Sequence, residues 1–187
     1  RLRQCLMMSE LLAMLTPGAP PMSAEIRGTS GQRITPSDVA ACLAHVDRYT
    51  YLYALSKFCL DDHSRAELNN LAIDDAVGRG YTFQSQEPDD SVERLGLLAL
   101  SFSISPSRCA MCKGTGQVIF GSKVDSCPKC QGTGNMQLSA RRLADAMGAG
   151  RWRAQKVWMP RFQTLLSDYQ VKDDAIQTVL YVGLRDE

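Results

Sequence analysis

The sequence has no apolar run long enough to cross a bilayer, so it predicts no membrane-spanning helix. The first residues are basic, at Arg1 and Arg3, but Glu10 interrupts the apolar stretch and no small-residue cleavage site follows. We therefore expect a cytoplasmic protein. The length of 187 residues allows one compact domain or two small ones.

Signals of catalysis are also missing. There are only two histidines, His45 inside a predicted helix and His63 in an acidic turn, and neither has a second ligand at suitable spacing. No nucleophile stands at motif spacing from a base, and no glycine-rich phosphate loop is present. We expect a protein that is not an enzyme. A metal-dependent nuclease is an alternative that an absence of turnover with Mg²⁺ would remove.

What the sequence does have is cysteine. Two Cys-x-x-Cys pairs, Cys109/Cys112 and Cys127/Cys130, are separated by fourteen residues. Two such pairs can complete a tetrahedral shell of four sulfurs, which is the closed arrangement of structural zinc. We therefore predict one structural Zn²⁺ with no open position for a catalytic water. The remaining cysteines, which we expect to be buried thiols in a reducing compartment, are Cys5, Cys42 and Cys59.

Each cysteine pair is followed by the same Gly-Thr-Gly sequence. Glycine lets the chain turn with φ > 0 and brings backbone N–H groups towards metal-bound sulfurs. Residues 117–124 lie between the pairs and predict a small hairpin that turns at Gly121-Ser122. Two alternatives are weaker: paired disulfides need an oxidising compartment, and a redox Cys-x-x-Cys normally occurs once beside a βαβ pattern.

The charge is unevenly distributed although the net charge is only +1. Between Pro106 and Arg161 there are ten basic residues and two acidic ones, whereas the rest of the chain has eleven basic and eighteen acidic residues. A four-cysteine zinc site would remove about two positive charges from the basic segment. This asymmetry indicates a half that binds a polyanion and a half with another role.

The N-terminal part predicts helices. Residues 1–15 have helical spacing, and residues 16–36 form a Pro-, Gly- and Ser-rich flexible linker. Residues 37–105 form an acidic helical bundle that begins with Ser37 as an N-cap. Its expected helices run from Asp38 to Leu60, from Ser64 to Val77 and from Ser91 to Ser103. The acidic pairs at their ends are solvated capping residues or, alternatively, a surface for a basic partner.

The C-terminal part predicts a zinc-binding hairpin over residues 106–137 and a helix-turn-helix module with a C-terminal helix over residues 138–187. Ser139 is the expected cap of a helix to Met147, and a glycine turn precedes a second helix from Arg151. Pro160 should kink or end that helix near Met159. Ala144 would be the small residue where the helices cross. The inner face would comprise Leu143, Met147, Ala149, Ala154 and Val157, and the last helix would run from Asp173 to Leu184.

In this register a set of polar and basic side chains points outward, where it can reach base edges and phosphates. The DNA-binding residues predicted from this register are Arg141, Arg142, Arg151, Trp152, Gln155 and Lys156. The alternative is an ordinary helical hairpin with a solvated basic face. The chain as a whole predicts a mainly α protein: an N-terminal helical bundle followed by a four-cysteine zinc-binding β-hairpin and a helix-turn-helix module.

This order of features resembles the late-gene transcription antitermination protein Q family of lambdoid bacteriophages. The resemblance covers most of the chain from about Thr16. It rests on the four-cysteine block and on these segments: Thr16-Pro17-Gly18, Ser37-Asp38-Val39-Ala40-Ala41, Phe58-Cys59, and Trp152 with Pro160-Arg161-Phe162. The two cysteine motifs are also similar to half of the cysteine-rich domain of DnaJ-type chaperones, but that family has four repeats and a His-Pro-Asp motif, which this chain lacks.

The resemblance implies a function. Members of the family bind double-stranded DNA at a phage late promoter element, engage paused host RNA polymerase with its sigma factor, and make it read through terminators of late genes. It implies the bacterial host cytoplasm as the location. It also implies Cys109, Cys112, Cys127 and Cys130 as zinc ligands. The residues that it implies face DNA are Arg141, Arg142, Arg151, Trp152, Arg153, Gln155 and Lys156. The alternative function is a zinc-dependent chaperone-like module that binds unfolded proteins.

Overall fold

The computed structural model describes residues 12, 15, 36–81, 88, 90–120 and 123–184. It is mainly α-helical, with one antiparallel pair of strands among the described residues. The predicted N-terminal helix and linker lie outside the described residues, apart from Leu12 and Leu15. Of the helices that the structure describes, none combines the length and apolar character that a membrane crossing requires.

The described residues fall into two compact units. One contains those up to Asp74 and from Ser167 onward, and the other contains those from Asp75 to Leu166. The division differs from the predicted one at residue 105, because the third predicted bundle helix lies in the second unit together with the cysteine pairs.

The first unit begins with two helices, α1 (Pro36–Leu43) and α2 (Arg48–Phe58). The prediction of one helix from Asp38 to Leu60 is therefore wrong. Asp47 starts the second helix: its carboxylate accepts hydrogen bonds from the Thr50 backbone N–H at 3.1 Å and from the Thr50 hydroxyl at 2.6 Å. The prediction of Ser37 as an N-cap is also wrong, since α1 already begins at Pro36, a residue suited to the first helical position.

The next helices agree with the sequence. Helix α3 spans Asp62–Gly78 and α4 spans Ser91–Ile104. After α3, Gly80 has φ 65°, the left-handed conformation in which glycine commonly ends a helix.

A cluster of aromatic and charged side chains forms part of the first unit. The Tyr53 ring is fully buried and stacks on Tyr169 with the centroids 5.4 Å apart, and the hydroxyls of Tyr49 and Tyr169 are 2.9 Å apart. Lys57 Nζ donates to both carboxylate oxygens of Asp173 at 2.8 and 2.7 Å. The predicted buried thiols Cys42 and Cys59 are indeed buried, whereas Cys5 lies outside the described residues.

The C-terminal part contains α5 (Ala140–Met147), a short helix α6 (Arg151–Arg153), a π-helical segment (Ala154–Trp158) and α7 (Met159–Gly183). The helix therefore does not end near Met159, which leaves the kink at Pro160 as a prediction. The prediction of a separate last helix from Asp173 is wrong, since α7 is continuous to Gly183. In the π-helical segment the Met159 N–H bonds to the Ala154 carbonyl, five residues earlier. This wider turn lies just before Pro160, which has no N–H, and lets the helix continue past it.

Candidate metal centre and basic helix pair

Four cysteine sulfurs form a compact, buried group. The Sγ atoms of Cys109, Cys112, Cys127 and Cys130 all lie within 4.8 Å of one another. The distance from Cys109 to Cys127 is 3.9 Å and that from Cys112 to Cys130 is 3.6 Å. A tetrahedral site with metal–sulfur bonds of about 2.3 Å has sulfur–sulfur distances of about 3.8 Å, whereas a disulfide is about 2.05 Å long. The group therefore has the donors and the size to hold a metal ion.

The repeated Cys-x-x-Cys-x-Gly-Thr-Gly sequence produces the same local geometry twice. The N–H of Gly116 donates to Cys112 Sγ, and the N–H of Gly134 donates to Cys130 Sγ, each at 3.3 Å. In both repeats the threonine hydroxyl donates to the carbonyl of the second cysteine. Such N–H groups stabilise negative charge on sulfur, so each turn is suited to present a thiolate ligand.

The two cysteine turns are joined directly by their backbones. The Cys109 N–H donates to the Gly134 carbonyl and the Cys127 N–H donates to the Gly116 carbonyl, each at 2.8 Å. Gly116 has φ 74°, and a Cβ atom there would collide with the carbonyl oxygen of Gly132. Only glycine suits both the conformation and the close approach.

The conformations of two other residues were not predicted. Lys113 and Gln131 have φ 53° and 52° at equivalent places in the two repeats. Each directly follows the second cysteine of its pair and precedes the first glycine. Because the same left-handed conformation occurs at both positions, the repeat itself is the signal that could have indicated it.

The four cysteines do not ionise equally readily. At Cys112, burial opposes ionisation, but hydrogen bonds from the backbone of Gly114 and Gly116 outweigh it and lower the pKa to about 6. At Cys127, burial raises the pKa of the thiol. Four thiols in so small a volume cannot all lose their protons without a cation, because the resulting negative charges repel one another. A bound metal ion would therefore complete the ionisation and release protons.

An antiparallel hairpin connects the two cysteine turns. Strand β1 (Gln117–Phe120) pairs with β2 (Lys123–Ser126), with Ile119 opposite Val124. Val118 packs against the cysteine group. The strand pairing agrees with the predicted hairpin, while its turn residues, Gly121 and Ser122, lie outside the described residues.

Helix α5 begins and ends as predicted. The Ser139 hydroxyl accepts a hydrogen bond from the Arg142 N–H, and Gly148 ends the helix with φ 59°. Leu143 and Met147 are fully buried and Ala144 is nearly so. Helix α5 packs against the helical segment that follows the turn.

The inner face of the second helical segment differs in one position from the prediction. Ala154 is buried as expected, but Trp158 is fully buried whereas Val157 is only partly so. The π-helical segment has more residues per turn than an α-helix, and this shifts the phase of the face that follows it. Sequence periodicity based on an α-helix could not indicate this shift.

The predicted DNA-binding side chains are mostly exposed. Trp152 is 72% exposed, and Arg153 is partly buried. The others, all exposed, are Arg141, Arg142, Arg151, Gln155 and Lys156.

A recess of about 230 Å³ lies between the four-cysteine group and α5. Its lining includes Cys109, Ser139 and two cationic side chains, Lys129 and Arg142. Lys129 belongs to the predicted basic segment but is not among the predicted DNA-binding residues. Its position within the second Cys-x-x-Cys pair is the signal that could have included it.

The comparisons with known proteins add no family: no protein-family model matches the sequence, and no curated protein matches it.

Proposed function

We propose that this chain is a zinc-dependent DNA-binding protein that acts as a transcription antitermination factor. The observation that carries the proposal is the combination, in one compact unit, of a four-cysteine metal group with two exposed basic helical segments. A polyanion is the ligand that this charge distribution favours.

Zinc is the metal that the donor set favours. Four thiolates in a buried tetrahedral group are typical of structural zinc, which links segments too short to form a core. Here the ion would fix the hairpin and both cysteine turns against each other. It would supply no catalytic chemistry, because the protein fills all four positions.

The two helical segments would form a helix-turn-helix that reads DNA. In this proposal the second segment enters the major groove with Arg151, Trp152, Gln155 and Lys156 facing the bases and backbone. Arg141 and Arg142 on α5 contact phosphates, and the recess between Arg142 and Lys129 accepts a further phosphate. The partly buried Arg153 has the smallest share of the contact.

The antitermination role rests on the resemblance to the late-gene Q proteins. By that resemblance, DNA contacts localise the protein at a late promoter element, and contacts with paused RNA polymerase and its sigma factor change pausing and termination. The acidic N-terminal half, which carries a net charge of opposite sign to the zinc segment, is the part available for the polymerase.

The first experiment is a terminator read-through assay with purified host RNA polymerase. Templates with and without the promoter element are compared, with the wild type and Cys127→Ser. We expect read-through that needs both the protein and the element and that Cys127→Ser abolishes. Read-through that does not depend on the promoter element would contradict the proposal. So would a lack of read-through by protein that is confirmed to contain bound metal.

A second assay separates DNA binding from the chaperone-like alternative. Zinc-loaded protein should bind the element at moderate salt and should not suppress aggregation of a denatured client protein. Suppression of aggregation without element-specific binding would instead favour the chaperone-like module.

A further inference from the structure

The outer edge of strand β2 is an unpaired sheet edge in the part of the chain that the structure describes. The sheet has two strands only, and all four residues of β2 are exposed. Ile119 and Val124, which lie directly opposite each other, are 74% and 59% exposed. An exposed edge beside apolar residues is a site to which another strand can add.

The hydrogen-bond pattern identifies which groups face that edge. The Cys127 N–H bonds to the Gly116 carbonyl, and these residues extend the register by one step beyond Gln117 and Ser126. Hydrogen-bonded and non-hydrogen-bonded pairs alternate in an antiparallel ladder, so Ile119 and Val124 form a non-hydrogen-bonded pair. The N–H and C=O of Val124 therefore point away from β1, towards the outer edge.

The charges of β2 are complementary to those of a second β2. Lys123 lies opposite Phe120 and Asp125 lies opposite Val118, so neither charge has an oppositely charged cross-strand neighbour in its own hairpin. If two copies of β2 pair antiparallel about Val124, Lys123 of each copy lies opposite Asp125 of the other. Opposite charges directly across a sheet stabilise the pairing.

The apolar residues fit the same arrangement. Side chains alternate between the two faces of a strand, so Ile119 and Val124 lie on the face opposite Val118, which packs on the cysteines. In the symmetric pairing, the Val124 side chains of the two copies lie side by side. The four β-branched side chains of the two copies then form one continuous apolar strip.

We propose that β2 is a self-association edge, through which two copies of this chain pair antiparallel about Val124 into a four-stranded sheet. Each copy contributes the same strand, so the interface is closed and two-fold symmetric. The Val124 N–H of each copy donates to the Val124 carbonyl of the other. This inference stands apart from the proposed DNA and polymerase functions, because it rests only on the hairpin.

Charge reversal tests the register by sedimentation velocity on the full-length, metal-loaded chain. Lys123→Asp and Asp125→Lys each place like charges opposite one another in a homodimer, and we expect each alone to associate about tenfold more weakly or worse. A mixture of the two variants restores opposite charges at both positions, and so does the double variant. Both should therefore associate like the wild type. Asp74→Lys reverses an exposed charge on α3, away from the strand and the cysteine turns, and should leave the association unchanged.

Val124→Pro tests the backbone pairing. The Val124 N–H is not used within the hairpin, so proline there should leave the hairpin intact and block strand addition. Metal content and far-ultraviolet circular dichroism check that each variant folds. A wild type that stays monomeric throughout the micromolar range would overturn the proposal. Self-association that is indifferent to Val124→Pro and to both charge reversals would overturn it too.

Discussion

At the residue scale, we expect metal binding to depend on the backbone conformation of the glycines in the cysteine turns. Gly116→Ala would place a Cβ atom against the Gly132 carbonyl at φ 74°, so the two turns would have to separate. Gly132→Ala is the matched control, since its φ is 86° but the nearest atom to a Cβ, the Ser126 hydroxyl oxygen, is 3.9 Å away. The strained φ alone costs each variant about 1–3 kcal/mol.

We therefore expect Gly116→Ala to lose clearly more thermal stability and more metal affinity than Gly132→Ala. Melting temperatures and competition with a chromophoric chelator measure the two effects. Equal losses in both variants would show that the close approach of the turns does not matter for the site.

Lys156 is the exposed side chain whose proposed role in DNA binding is simplest to isolate. If it contacts one phosphate, Lys156→Ala should weaken binding to all sequences and reduce the slope of log affinity against log salt by about one. Fluorescence anisotropy at a series of salt concentrations measures this slope. Lys172→Ala, a lysine of the other compact unit, should leave it unchanged. An unaltered slope for Lys156→Ala would remove this residue from the contact set.

At the scale of single elements, the start of α2 depends on one carboxylate. Burial opposes ionisation of Asp47, but hydrogen bonds from the side chain and backbone of Thr50 outweigh it and lower its pKa. A lowered pKa means that the charged cap adds stability above the unfolded-state pKa. That contribution is lost as the pH falls through the folded-state pKa.

Asp47→Ala should therefore cost about 1 kcal/mol at neutral pH, and the difference from the wild type should shrink well below pH 4. Asp47→Asn keeps an acceptor without the charge and should cost less at neutral pH, and its difference from the wild type should also shrink at low pH, because the wild-type carboxylate is the group that titrates. Urea unfolding at several pH values provides the measurement. A constant difference between the wild type and Asp47→Ala at all pH values would exclude a contribution from the charge.

The elements also show how far the sequence predicts this fold. The cysteine turns, the hairpin pairing and the ends of α5 were predictable, because each depends on local signals such as Gly-Thr-Gly, Ser139 and Gly148. The break before Asp47 was missed because apolar spacing continues across it while a side-chain cap restarts the helix. The π-helical segment was missed because periodicity arguments assume an α-helix, and this also misplaced the buried Trp158.

At the scale of the whole molecule, the four cysteines of the candidate metal site all belong to one of the two compact units, the one from Asp75 to Leu166. Of the hairpin side chains that the structure describes, Val118 packs against the cysteine group. Metal binding should therefore be coupled to folding of that unit, as it is in other small metal-supported modules. The aromatic cluster around Tyr53 lies in the other unit and contains no metal ligand among the described residues.

Removal of the metal should thus affect the two units differently. After chelation we expect hydrogen exchange to accelerate in the hairpin and in the backbone of the cysteine turns, with a smaller increase in α5. Helix α2, which packs in the aromatic cluster, should keep its protection. Hydrogen-exchange mass spectrometry with and without a chelator gives the comparison, and Cys127→Ser should reproduce the chelated pattern. Uniform acceleration in both units would mean that the metal supports the entire fold, and no acceleration in the hairpin would mean that its folding does not need the ion.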